Sequence, residues 1–227
     1  MEKILNLKNG KISVCNKDGY KLYIYGDIVS SSWEKWSDED TCPQDVADLL
    51  AKIPSNEPLD IYINSGGGDV HAGIAIYSQL SRRTGKNTVH VDGIAASIAS
   101  VIAMAGDEII MPKSAQLMVH KPWSCCWGNA DEMRKTADIL DTCQSSITAI
   151  YQSKLADGVE LDKLSEMVNA ETWLTGEQAA SVFKINLSDT PSVAASASQF
   201  YSQYRNKAAE NNNEIEKLKI ELELITL

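Results

Sequence analysis

The sequence holds little of what metal and cofactor chemistry needs. Its 227 residues include three histidines and five cysteines. Cys15, Cys42, Cys125, Cys126 and Cys143 contain no CxxC pair, and an odd set spaced this way fits neither a disulfide framework nor a zinc site. No metal and no cofactor is expected. Positive charge is short as well: 21 Lys and Arg stand against 31 Asp and Glu, a net charge of −10. Without a basic excess to neutralise phosphates, nucleic acid and anionic membrane surfaces are disfavoured as partners. Long apolar runs are missing too. The best one, Val101 to Ala105, is cut by Gly106, Asp107 and Glu108, far short of the ~20 residues that span a bilayer. No apolar secretory segment follows Met1, so the expected setting is reducing and cytoplasmic.

What is present is an ordinary globular composition, 44% hydrophobic and 23% charged, enough for one large domain with an appendage. Asn9-Gly10 and Asp18-Gly19 read as hairpin turns between short strands, followed by the strand-like "KLYIYGDI". A polar, acidic loop carrying Trp33 and Trp36 leads to a helix near Pro43. "LDIYIN" then reads as a strand running into a turn at Gly66, Gly67 and Gly68, with a helix after it and the strand "NTVHVDG" beyond. "QLMVHKPW" is a further short strand. From Asn129 to Leu155 runs one long helix, opened by an Asn129–Glu132 capping box, with Met133, Ala137, Leu140, Ile147 and Tyr151 as its apolar stripe. Thr175 and Gln178 form a second capping box. Strand–helix alternation implies an α/β fold with parallel strands. A Ser/Ala-rich linker over 188–199 separates the main domain, 1–187, from a helical tail, 200–227, whose Ile215, Leu218, Leu222 and Ile225 form a short seam.

Chemistry has few places to live. Serine is a weak nucleophile and needs a base, an orienting acid and donors for the oxyanion. In "VDGIAASIASVIAMAGDEII", Ser97 falls at the turn from strand to helix, where N–H groups are free. Ser100 lies about one turn further in and reads as a packing residue; close packing also accounts for Ser97. His120, at a strand end, suits a cleft-facing base. His90 reads as structural within its strand, and His71 stays open because it follows the glycines. Those glycines let backbone N–H groups approach an anion or carbonyl, and without a following Lys-Ser/Thr they do not form a phosphate loop. The acid is open among Asp131, Asp138, Asp141, Asp162, Glu166 and Glu171, most of them on helix faces.

Taken together, "INSGGGD", "DGIAASIASVIAMAGD", "MVHKPW" and "AETWLTGEQA" resemble the Clp protease proteolytic-subunit (ClpP) family, and the flanking segments resemble its phage head-maturation branch. The likeness covers about residues 22–187. It implies a ClpP/crotonase-like spiral of strand–helix units with a protruding long helix, and a serine endopeptidase working through an acyl-enzyme. By motif, Ser97 is the nucleophile, His120 the base and Glu171 the orienting acid. Gly67 and Ile98 would give the oxyanion N–H groups, with Gly66 and Gly68 shaping the substrate loop. The implied partners are protein or peptide substrates, possible capsid or scaffold proteins among them, and copies of the chain in a ring. The implied place is the host cytoplasm or a prohead. The pattern departs in three places: Gly66 stands where the family has Pro, Glu171 where it has Asp, and Lys121 where it often has Gln. Two rivals remain open at this level, a crotonase-like acyl-CoA enzyme and a non-catalytic scaffold with the same fold.

Overall fold

A computed structural model describes residues 19–189. The N-terminal turn at Asn9-Gly10, the 190–199 part of the linker and the 200–227 tail lie outside them. A run of β-branched residues and tyrosines gives β1, Tyr20–Ile28, and the alternation places Leu22 and Ile24 in the core. A 3-10 turn over Ser32–Glu34 follows, then α1, Pro43–Leu50, with Pro at its first position. The intervening loop is organised by one carboxylate. Asp40 is buried and accepts the backbone N–H groups of Asp27 at 3.0 Å, Trp36 at 2.8 Å and Ser37 at 3.1 Å. Trp33 and Trp36 are left pointing outward.

Next come β2 at Leu59–Gly68, α2 at Val70–Ser81 and β3 at Asn87–Ala96. The expected glycine turn is instead the end of a strand. Gly67 and Gly68 stay in register with Asp27 and Ile28 of β1, because a Cβ on Gly68 would sit 2.0 Å from the Ile28 carbonyl oxygen. Only glycine lets the two backbones approach so closely. α3, Ile98–Ala103, is short and wholly buried. Its counterpart α2 packs on it through Gly73, whose added Cβ would meet Ile98 Cγ1 at 2.1 Å.

β4 at Glu108–Pro112, β5 at Gln116–Val119, β6 at Thr172–Thr175 and β7 at Asn186–Ser188 complete the sheet among the described residues. β1, β2, β3, β4 and β7 run parallel in that order. β5 branches from the far end of β3 and carries β6 antiparallel to it. The β5–β6 pair thus forms a small branch off the main parallel sheet.

α4, Ala130–Gln152, opens at Asn129 with the anticipated capping box, and α6, Gly176–Val182, opens at Thr175 with the other. Between them lies α5, Leu161–Asn169. At ~1.5 Å per residue α4 is ~34 Å long, more than the domain can cover. Cys143, Ile147 and Tyr151 near its C-terminal end are buried, whereas Met133 and Ile139 are 51% and 56% exposed. The apolar stripe read from the sequence therefore has two halves, one seated on the core and one uncovered.

Candidate active site

Three chain elements meet at one cleft of about 480 Å3, lined by Gly68, Asp69, Ser97, His120, Trp123 and Cys125 among others. The strand β3 ends at Ala96, and the helix α3 starts at Ile98, so a single residue makes the turn. That residue, Ser97, has φ 54 and ψ −128. Non-glycine residues avoid this region, and the strain of order 1–3 kcal/mol persists only where the surroundings impose it. Among the described residues just two non-glycines have positive φ: Ser97 and, at φ 50, Glu171.

Ser97 Oγ lies 2.7 Å from His120 Nε2, within hydrogen-bond reach for proton transfer. His120 follows Val119 at the end of β5, and β5 is held to the turn by the Ser97 N–H, which donates to the Met118 carbonyl at 3.0 Å. His71 is exposed on α2. His90 is committed elsewhere: its ring stacks on Tyr62 at 4.7 Å and bonds Asp60 at 3.0 Å. Of the three histidines, the one at the strand end is the one brought to the serine.

Glu171 is placed by register. Val119 pairs with Thr172 at the end of the antiparallel β5–β6 ladder, and His120 and Glu171 are the next residues beyond that last pair. Its side chain is exposed and its N–H reaches the Val168 carbonyl at 3.5 Å, closing the turn after α5. Asp131, Asp138, Asp141, Asp162 and Glu166 are all exposed on α4 and α5.

The glycines behave differently from the sequence expectation. The Gly67 N–H donates to Ser65 Oγ at 3.1 Å, and that hydroxyl donates to the Gly26 carbonyl at 2.5 Å. The Asp69 N–H goes to the Ile28 carbonyl at 2.8 Å. Both amides face β1. In a regular strand successive amides alternate sides, which would turn the Gly68 N–H away from β1. The Gly67 N–H, expected as an oxyanion donor, is thus engaged by Ser65 Oγ. Gly67 serves instead by having no side chain: with φ +99, its Cβ would stand 2.7 Å from Ser97 Cβ. Ile98, at the first position of α3, carries an N–H with no partner inside the helix. Gly66 is buried within β2.

One feature of the site was not visible in the sequence. Buried Ser100, read there as packing, has its Oγ 2.6 Å from the Ser97 carbonyl, 2.9 Å from the Met118 carbonyl and 2.7 Å from Tyr151 Oη. Its partner lies 51 residues away on α4, and no local pattern announces such a contact. Among the described residues there is no cluster of His, Cys, Asp or Glu able to hold a metal, and no helix long and apolar enough to cross a membrane.

Residues 35–182 match the Clp protease family profile. The ATP-dependent Clp protease proteolytic subunit of Bacteroides fragilis is 30% identical over 133 residues, 57% of this chain and 63% of that protein. The corresponding subunit of Ligilactobacillus salivarius is 32% identical over 141 residues, 59% of this chain and 69% of its own length. The chain thus spans somewhat under two thirds of the Bacteroides relative. In three dimensions the fold is similar to that of a mutant ClpP1 from Listeria monocytogenes, with a TM-score of 0.62 at 22% identity, covering 75% of this chain and 91% of that one. That likeness is one of fold.

Proposed function

The chain belongs to the Clp protease family, and from that premise we propose that it is a serine endopeptidase acting through an acyl-enzyme on Ser97. The observation that carries this reading is the 2.7 Å Ser97–His120 contact at a turn whose nucleophile sits in a strained conformation. Ser97 Oγ–H donates to His120 Nε2. As Oγ attacks a peptide carbonyl carbon, its proton moves to Nε2, and the oxyanion is held by the N–H groups of Gly68 and Ile98. The imidazolium then gives its proton to the departing amine. Water, activated by the same nitrogen, releases the acyl group and regenerates Ser97. Glu171 orients the ring and stabilises its charge, and its position next to the last β5–β6 pair, Val119 with Thr172, supports that role. The chemistry asks nothing of a metal or cofactor.

The substrates we assign are proteins or peptides, among them scaffold and capsid proteins of a phage head, on the strength of "IYGDI", the tryptophan loop and "HKPWSCCWGNADEMRK". The setting proposed is the host cytoplasm or a prohead. A ring of copies is the assembly that suits the uncovered half of α4, where Met133, Ile139 and the neighbouring Trp127 expose apolar surface. The experiment is hydrolysis of a mixed peptide library, followed by mass spectrometry, for the wild type and Ser97→Ala. Cleavage that disappears in the variant supports the peptidase. Absence of cleavage by folded wild type supports a scaffold, and acyl-CoA binding supports the crotonase-like alternative.

A further inference from the structure

The hydroxyl cluster behind Ser97 is a branched hydrogen-bond chain with an assignable direction. Ser100 has one proton and three neighbours. Two of them, the Ser97 and Met118 carbonyls, can only accept, so the Ser100 proton is directed at these two, 2.6 and 2.9 Å away. Tyr151 Oη, at 2.7 Å, must then be the donor to Ser100 Oγ. Burial pushes the Tyr151 phenol well above its ordinary range, so it stays protonated and able to donate. The direction runs from Tyr151 to Ser100 to the two carbonyls.

Those carbonyls belong to the two segments that carry the reacting groups. One is on the nucleophile residue itself, and the other lies two residues before His120. The Ser97 N–H ends on the same Met118 oxygen. Strain at Ser97 requires something to maintain it, and this hydrogen-bond chain ties the turn to β5 from both sides of the peptide. We infer that Ser100 and Tyr151 are positioning residues, a hydroxyl clamp that holds Ser97 in its strained turn and fixes its distance to His120. Tyr151 belongs to the seated end of α4, so the seat of that helix and the geometry of the nucleophile are joined through one hydrogen bond.

The inference rests on the reading of Ser97 as nucleophile, and its test separates the two. Tyr151→Phe removes one hydroxyl and leaves the ring packed on Phe183, whose centroid is 5.7 Å away. Ser100→Ala removes the hydroxyl that meets both carbonyls. With a fluorophosphonate probe at saturation, the inactivation rate constant should fall about 3–10-fold in each, the size of one lost hydrogen bond. The half-saturating probe concentration should stay unchanged. The double variant should fall no further than Ser100→Ala alone, since both act through one link. A merely structural role would lower the denaturation midpoint and leave the rate per folded molecule at the wild-type value; that result overturns the clamp. Nitrogen NMR of the imidazoles reads the same geometry without any reaction. The His120 resonances should shift in Tyr151→Phe while those of His71 and His90 stay. If wild type takes no probe, the peptidase reading fails and the spectrum alone decides, an unmoved His120 overturning the clamp.

Discussion

Replacing Gly67 with alanine tests how tightly the nucleophile is seated. The added Cβ would lie 2.7 Å from Ser97 Cβ, 2.8 Å from the Ala96 carbonyl oxygen and 3.2 Å from the Ile98 nitrogen. Carbon atoms in contact sit about 3.5–4.0 Å apart, so Ser97 must withdraw by about 1 Å. At φ +99 an alanine costs a further ~1–2 kcal/mol, and overpacking a rigid site costs ~1–3 kcal/mol. The expected loss of stability is therefore about 2–5 kcal/mol. A displacement of ~1 Å at the reacting atom lowers turnover by about 100-fold. Gly158→Ala is the control, because its φ of +83 carries the backbone strain with nothing within 4 Å of the new methyl. It should lose only ~1–2 kcal/mol and keep full activity. Denaturant unfolding and the probe-inactivation rate, measured on both variants, separate the terms. Wild-type inactivation by folded Gly67→Ala would refute the contact argument, as would equal loss of activity in both variants.

Two further outcomes follow from the same geometry. Glu171→Ala should lower turnover by ten-fold or more, since an imidazole without its orienting partner samples the wrong tautomer and position, while Asp162→Ala, on the exposed face of α5, should be neutral; the reverse order would move the acid assignment. At alkaline pH the protein should lose stability. Burial raises Tyr151, and partial burial together with Asp92 raises Tyr25, above the ordinary phenol range near 10. A folded-state value above the unfolded one means the stabilisation is complete below about pH 10 and is lost as pH rises past it. Tyr151 alone should contribute a slope of ~1.4 kcal/mol per pH unit. Denaturant titrations between pH 8 and 11.5 should show that slope reduced in Tyr151→Phe, and an unaltered slope would contradict its burial as a neutral donor.

Much of the frame was legible because it is local. The two capping boxes, the short strand before His120 and the turn at Ser97 each depend on neighbouring residues, and the structure has all of them. The nonlocal features were hidden. The glycines read as a turn by composition, yet pairing with β1 extends β2 through them. The hydrogen bond from the Gly67 N–H to Ser65 Oγ is equally invisible in the motif whose resemblance pointed to Gly67 as a donor. Ser100 looked like packing because its chemistry depends on Tyr151, and α4 brings that residue in from a distant part of the chain. The stripe along α4 had the right period, but periodicity reports a face and not what covers it. Spacing alone could not choose Glu171 among the carboxylates, because which of them lies near the end of β5 depends on antiparallel pairing of β5 with β6, two strands far apart in sequence.

In the proposed reaction Ser97 is the reacting nucleophile, activated by His120. Peptide mapping of the folded chain after fluorophosphonate treatment tests it most directly. A single adduct on Ser97 is expected, absent from Ser97→Ala and strongly slowed in His120→Ala. An adduct on Ser100 or another serine, or labelling of Ser97 at the same rate without His120, would contradict it.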